Sequence, residues 1–95
     1  MTISHTKIFN RIAILGMGRS GQAVLDACVA DGISVDLFDD KGATARTEAC
    51  FRDFNDWDMD GLEAMVISPG IPHHHPAPHP AAKRCMDAGL SLIHI

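Results

Sequence analysis

The 95-residue sequence contains no apolar run that approaches the roughly 20 residues needed for a transmembrane helix, which excludes a span of that kind. Basic residues are also few: eight Lys and Arg stand against twelve Asp and Glu, for a net charge of −4. Because surfaces that bind nucleic acid are usually basic, this balance argues against a nucleic-acid partner. Residues 1–7 lack the apolar centre of a secretory signal. We therefore predict a cytoplasmic protein that binds neither nucleic acid nor a membrane.

Cysteine is scarce, with only Cys28, Cys50 and Cys85 present. Their odd number and wide spacing exclude a disulfide framework, and we expect reduced thiols in the core. Apolar residues make up 46% of the chain and charged residues 21%, which is typical of a folded globular protein and excludes general disorder. The length corresponds to one small domain and is short for an enzyme that holds two substrates. We therefore expect residues 1–95 to be a single-domain fragment of a larger protein.

Proline is absent outside residues 69–80, which hold all five prolines of the chain. Since proline cannot donate a backbone hydrogen bond and disfavours helix before it, this segment is predicted to be a loop. It also carries His73, His74, His75 and His79. A metal site needs histidines held in fixed geometry by further hydrogen bonds, which a proline-broken loop does not provide. We interpret these histidines as part of a solvated loop and predict no metal site.

Short continuous apolar runs predict strands that are buried on both faces, as in a parallel sheet. Two such runs cover residues 12–15 and 64–67. Residues 35–38, in which Asp36 interrupts the apolar residues, and residues 90–95 form two further predicted strands.

Apolar residues at helical spacing predict two helices between these strands. The first contains Val24–Val29 and stops at Gly32, and the second covers about 77–88 with Gly89 just beyond its end.

The middle of the chain, residues 43–60, fits two interpretations: a helix around 47–54 or a short strand near 51–54. Elsewhere strands and helices alternate along the chain. This order predicts an α/β fold of the Rossmann-like kind, with a parallel sheet, helices on both of its faces and right-handed crossovers.

Three loops with unusual residues directly follow predicted strands: Gly16–Gly21, Asp39–Lys41 and Ser68–Pro72. Ligands of parallel α/β sheets bind beside the carboxyl ends of the strands, next to the point where strand order reverses. We therefore predict one binding site formed by these three loops.

The first loop carries the pattern G-x-G-x-x-G at Gly16, Gly18 and Gly21, between a strand and a helix. The first glycine permits a tight turn, the second allows a phosphate to approach the backbone, and the third allows close helix–sheet packing. Amides at about Arg19 and Ser20 would then face an anion at the helix N-terminus. The alternative is a structural turn without a ligand.

The other two loops offer polar groups for a nucleotide. Asp39 or Asp40 could accept a hydrogen bond from a ribose hydroxyl or a nucleobase N–H; the alternative is a solvated pair or a helix cap. The turn that begins at Ser68 presents a hydroxyl, a carbonyl and amides that suit a base or phosphate, or it is a plain turn. Trp57 is predicted to be a core or edge anchor and not a residue that stacks on a ligand. No catalytic triad and no Walker sequence is present, so the chain is predicted to be a binding module.

These features together resemble the N-terminal domain of the Mur ligases, in particular the D-glutamate-adding members. The resemblance lies in residues 14–21, in the Asp39-centred end of the second strand and in residues 66–72, and it covers nearly the whole chain. It implies a three-domain cytoplasmic enzyme of peptidoglycan synthesis that joins D-glutamate to UDP-MurNAc-L-alanine through an acyl-phosphate. It also implies ATP and magnesium for the full-length enzyme, held by a central domain absent here, and a C-terminal domain for the amino acid.

By the same resemblance, this chain would grip the UDP part of the substrate, would hold no cofactor or metal of its own and would carry no catalytic residue. The diphosphate would lie at the glycine loop, and the uracil would lie between the other two loops. The implied UDP-binding residues are Gly18, Arg19, Ser20, Gly21, Asp39, Asp40, Lys41, Ser68, Pro69 and Gly70.

Two other functions fit the glycine loop and Asp39. The chain could be the NAD-binding front end of a dehydrogenase, or a stand-alone regulatory or interaction domain that binds a nucleotide. The Arg19-Ser20 pair and the turn at Ser68–Pro72 favour the ligase domain.

Overall fold

The computed structural model of the protein describes residues 9–45, 47–68 and 79–94, with the backbone alone for Ser20 and His94. Its elements in chain order are β1 (Arg11–Leu15), α1 (Arg19–Ala30), β2 (Ser34–Phe38), a 3₁₀ helix (Phe54–Asp56), β3 (Ala64–Ile67), α2 (Pro80–Asp87) and β4 (Ser91–His94). The four strands form one sheet in the order β2-β1-β3-β4, and every pair is parallel. The predicted α/β class and the four predicted strands are confirmed.

One helix packs on each face of the sheet. Because successive strand residues point to opposite faces, the apolar strands present an apolar surface to both helices. The face under α1 is built from Ile12, Ile14, Leu37, Ala64 and Val66, with Val24, Leu25 and Cys28 of the helix. The face under α2 is built from Ala13, Leu15, Met65 and Ile67, with Ala81, Ala82 and Cys85 of the helix. Helices lie on both faces, as predicted, and bury all of β3 and all of β1 except Arg11, while β2 and β4 stay partly exposed.

Both helices end where glycine permits a left-handed backbone. Gly32 follows α1 with φ of 73°, and Gly89 follows α2 with φ of 80°. A side chain is disfavoured at such angles, so these two glycines stop the helices at low cost. The predicted stop signals are confirmed, and the first residue of α2 is Pro80, a position that suits proline's fixed φ.

The middle segment forms neither a full helix nor a full strand. Phe51 makes a single parallel bridge with Leu37, and a 3₁₀ turn follows. The Thr47 hydroxyl accepts a hydrogen bond from the backbone N–H of Thr44 at 2.8 Å, and the Glu48 N–H donates to the Thr44 carbonyl oxygen at 2.9 Å, so these residues form a turn that does not continue as a helix. Trp57 is 2% exposed, and its Nε1 donates to the carbonyl of Arg52 at 3.0 Å. Of the two predicted positions for Trp57, core or edge anchor, the structure shows the core.

An ion pair stabilises the half of the sheet opposite the strand carboxyl ends. The guanidinium of Arg11 on β1 donates to both carboxylate oxygens of Asp36 on β2, at 2.7 and 2.9 Å from Nη2. Arg52 lies 3.6 Å from the same carboxylate. The Asp36 side chain is only 5% exposed, so these cations compensate a charge that burial would otherwise penalise.

The three cysteines are free thiols. Cys28 and Cys85 are completely buried, and Cys50 is half-buried against the α1 face. Burial raises the pKa of the Cys28 thiol, and it raises the pKa of Cys85 to about 11. The prediction of reduced core thiols therefore holds fully for two of the three. Among the described residues, no helix has the length and apolar character that a membrane crossing requires.

Candidate functional site

The first two predicted loops and Ser68, the one described residue of the third, meet at the carboxyl ends of the strands. Strand β1 lies between β2 and β3, and all three run in the same direction. The backbone hydrogen bonds of the sheet continue past the strand ends. The Gly16 N–H donates to the carbonyl oxygen of Phe38 at 2.9 Å, and the Ser68 N–H donates to the carbonyl oxygen of Leu15 at 3.1 Å. The glycine turn, the aspartate loop and Ser68 are therefore neighbours, at the point where the chain order reverses about β1.

The glycines of the first loop have distinct physical roles. Gly16 has φ of 93°, where a side chain is strained, and it makes the turn possible. A Cβ at Gly21 would lie 2.5 Å from the Gly16 carbonyl oxygen and 3.1 Å from Ser68 Oγ, so this position needs glycine for close packing. A Cβ at Gly18 would meet no atom within 4 Å. The space beside Gly18 is open to a ligand.

The N-terminus of α1 has no side-chain cap. Its N-cap residue is Gly18, which makes no side-chain hydrogen bond, and no acidic residue occupies the first turn. The first amides of a helix lack partners within the helix and carry partial positive charge, so they favour a bound anion. The Arg19 side chain is exposed at the same place. The Ser20 side chain lies outside what the structure describes.

Asp39 connects the aspartate loop to the glycine turn. One carboxylate oxygen accepts from the backbone N–H of Met17 at 2.7 Å, and the other accepts from the N–H of Lys41 at 2.8 Å. Asp39 is half-buried and caps no helix. It is therefore neither part of a solvated pair nor a helix cap, the two alternatives to a ligand contact that the sequence left open. A carboxylate oxygen that accepts one hydrogen bond keeps a second lone pair, so Asp39 retains acceptor capacity toward a ligand.

Asp40 and Lys41 follow on the solvent side of the same loop, and both are exposed. The Asp40 carboxylate contacts Nε2 of His79 at 2.9 and 3.0 Å. The His79 side chain is nevertheless only 9% exposed, and it forms the N-cap of α2. The prediction of a solvated loop is therefore wrong for His79, because its ring is bound from both sides. His73, His74 and His75 lie outside the described residues.

Ser68 is 6% exposed and points into the protein. Its hydroxyl donates to the Gly16 carbonyl oxygen at 3.1 Å, which fixes the glycine turn from the side of β3. The Ser68 side chain therefore lies in the protein interior, below the glycine turn. Pro69 and Gly70, which follow Ser68 and are also predicted to bind UDP, lie outside the described residues. Within the described part of the chain, no group of three His, Cys, Asp or Glu residues could hold a metal ion.

Two contacts of the site were missed from the sequence: the Met17 amide bound by Asp39, and His79 bound by Asp40. The first joins residues 22 apart in the chain, and no local pattern predicts it. The second had a partial signal, since His79 immediately precedes Pro80 at the start of an apolar helical stripe, where an N-cap is expected.

Comparison with known proteins identifies similar bacterial enzymes, each named UDP-N-acetylmuramoylalanine–D-glutamate ligase. The chain is 37% identical over 87 residues to that of Paramagnetospirillum magneticum, 41% over 88 residues to that of Cereibacter sphaeroides and 38% over 87 residues to that of Phenylobacterium zucineum. These matches cover 86–87% of this chain but only 18–19% of the relatives, so the chain spans just under a fifth of their length. No family model and no solved structure matches the chain.

The relatives therefore resemble almost the whole of this chain, and the parallel sheet with its glycine turn agrees with the fold that the resemblance implied. The chain is therefore a region similar to the N-terminal domain of the UDP-N-acetylmuramoylalanine–D-glutamate ligases (MurD), a likeness that covers 86–87% of its length.

Proposed function

We propose that this chain binds the UDP moiety of UDP-MurNAc-L-alanine, as the first part of a cytoplasmic ligase that adds D-glutamate to that substrate in peptidoglycan synthesis. The observation that carries the proposal is the uncapped N-terminus of α1, with open space at Gly18, directly beside Asp39 and Asp40. A nucleoside diphosphate has an anionic and a polar end, and this edge of the sheet offers groups for both.

The diphosphate fits the glycine turn. Backbone amides at the start of α1 can donate to phosphate oxygens, and the helix dipole favours the negative charge there. Arg19 adds a cation at the same end of the helix, and Lys41 adds another from the aspartate loop. In a chain of net charge −4, this local combination of amides and cations is what an anion site requires.

The uridine fits the aspartate loop. Asp39 is held by two amides and keeps spare lone pairs, and Asp40 is exposed beside it. Both carboxylates can accept from the N–H of a uracil ring or from ribose hydroxyls. By the family resemblance, Pro69 and Gly70 after β3 would line the remaining side, and Ser68 would support the glycine turn from within the protein.

Catalysis belongs to the remainder of the ligase in this proposal. ATP, magnesium and the amino acid would be bound by the central and C-terminal domains, which correspond to the four-fifths of the relatives that this chain does not match. The chain alone would therefore bind substrate without turning it over.

A chimera tests the ligase function. In it, residues 1–95 replace the corresponding N-terminal region of the Cereibacter sphaeroides relative, and phosphate release is measured. We expect release that requires both D-glutamate and UDP-MurNAc-L-alanine. The matched control is the same chimera with Gly18→Val, which fills the open space and should raise the KM for the UDP substrate while the KM for ATP stays unchanged. Release that is indifferent to Gly18→Val would contradict the proposal.

A further inference from the structure

His79 connects two elements that meet at the candidate site. Its Nδ1 accepts a hydrogen bond from the backbone N–H of Ala81 at 3.0 Å and so caps the first turn of α2. Its Nε2 lies 2.9 and 3.0 Å from the two carboxylate oxygens of Asp40. The imidazole therefore joins the start of α2 to the loop after β2.

These two contacts define which ring nitrogen carries the proton. A nitrogen that accepts from an amide carries none, so the proton of the neutral ring is on Nε2, the atom that faces Asp40. In this tautomer His79 satisfies both partners at once: it donates to the carboxylate of Asp40 and accepts from the N–H of Ala81.

The imidazole is held more firmly than the carboxylate it contacts. The His79 side chain is 9% exposed, and the rings of Phe38 and Phe54 pack at centroid distances of 6.0 and 5.8 Å. The Asp40 side chain is 65% exposed, and alone it would sample several rotamers. A nearly buried donor thus fixes an exposed acceptor, whose remaining lone pairs are free to meet a ligand.

We infer that His79 is a positioning residue of the nucleotide site: it holds the Asp40 carboxylate ready to accept from an N–H or O–H group of the uridine. The inference rests on the proposed function, since it takes UDP as the ligand. An ordered side chain loses less conformational entropy when the ligand binds. Release of Asp40 from His79 is therefore expected to weaken UDP binding about three- to tenfold.

Two substitutions separate the two contacts of the ring. His79→Asn keeps an acceptor close to the position of Nδ1 and is a good N-cap, but its side chain is too short to reach Asp40. His79→Gln extends an amide N–H toward Asp40 but offers no acceptor near Ala81. His79→Asn thus keeps the helix cap and loses the contact with Asp40, whereas His79→Gln keeps the contact with Asp40 and loses the cap.

The experiment is a calorimetric titration of the 95-residue chain with UDP, together with thermal unfolding of each variant. We expect His79→Asn to weaken binding three- to tenfold with little change in Tm, and His79→Gln to keep the affinity with a lower Tm. On an Asp40→Ala background, His79→Asn should have no further effect on binding, because the carboxylate is already gone. Long-range ¹H–¹⁵N spectra of the ligand-free chain should show the Nε2–H tautomer.

Two results would overturn the inference. The first leaves the proposed UDP site intact, and the second contradicts that site as well. If His79→Asn binds UDP as tightly as the unsubstituted chain, His79 is a helix cap only, and the proposed UDP site stands. If the unsubstituted chain gives no binding heat while the tautomer is Nε2–H, the His79–Asp40 contact is real but the UDP function fails, and the positioning role falls with it.

Discussion

The Asp39 carboxylate accepts a hydrogen bond from the backbone N–H of Met17 at 2.7 Å, and so joins the end of β2 to the glycine turn after β1. Its second oxygen accepts from Lys41 N–H at 2.8 Å. The same side chain that the family resemblance assigns to the uracil therefore also shapes the loop that would hold the diphosphate. In the proposed site, ligand binding and local stability would therefore be coupled at this residue.

Replacement of Asp39 is expected to affect stability as well as binding. Asp39→Ala leaves the part-buried N–H of Met17 without its acceptor, while water can replace the exposed contact with Lys41, and we expect the free energy of unfolding to fall by about 1–3 kcal/mol. Asp39→Asn keeps one acceptor oxygen and should cost less. Urea unfolding of the two variants measures the difference. Equal stability of Asp39→Ala and the unsubstituted chain would show that the Met17 contact contributes nothing.

Gly18 and Gly21 form a matched pair in the same turn. Gly21→Ala places a Cβ 2.5 Å from the Gly16 carbonyl oxygen, and the backbone shift that follows should cost about 1–3 kcal/mol. Gly18→Ala meets no atom and has φ of −75°, so its stability should change by less than about 0.5 kcal/mol. Thermal unfolding ranks the two. UDP affinity should fall in Gly18→Ala even though the fold is intact; unchanged affinity would place the phosphate elsewhere.

The ion pair of Asp36 with Arg11 predicts a stability effect at residues outside the proposed nucleotide site. Asp36→Ala leaves Arg11 without its main partner, and we expect a loss of about 1–3 kcal/mol, less than for a fully buried pair because Arg11 is one-third exposed. Arg52→Ala, whose side chain is 55% exposed, should cost under about 1 kcal/mol. Denaturant unfolding checks both values, and UDP binding should be unchanged in each. A larger loss in Arg52→Ala than in Asp36→Ala would contradict this assignment.

Stability at alkaline pH should depend on Cys85. Burial raises the pKa of this thiol in the folded protein from 9.0 to about 11. A group whose pKa is higher in the folded state contributes stability that is complete below its unfolded pKa and disappears as pH rises through the folded value. The free energy of unfolding should therefore decrease from pH 9 to 11, and the decrease should be smaller in Cys85→Ala. Since the chain has no tyrosine, phenol ionisation adds nothing in this range. Parallel curves for the two proteins would contradict the prediction.

The regular elements could be predicted from the sequence because local signals determine them. The apolar runs of the strands and the glycines at positions 32 and 89 each point to one structure, and the sheet agrees with them. The segment 43–60 could not be predicted, because its shape depends on tertiary contacts such as the bond from Trp57 Nε1 to Arg52 and the bridge of Phe51 with Leu37.

Some features of the candidate site could likewise be predicted from local sequence signals, and others could not. Its location followed from the rule that ligands bind beside the carboxyl ends of parallel strands, and its glycine turn followed from a local motif. The side-chain contacts within it did not follow. Asp39 reaches Met17 across 22 residues and Asp40 reaches His79 across 39, and only the folded sheet brings these pairs together.

An amide NMR titration of this chain with UDP, and in parallel with NADH, tests the proposed UDP site. We predict that UDP, and not NADH, shifts the amides of residues 18–21 and 39–41 together with that of Ser68, all at the carboxyl ends of the strands. Shifts of the glycine turn by NADH alone, or no shift of these amides by UDP at saturating concentration, would contradict it.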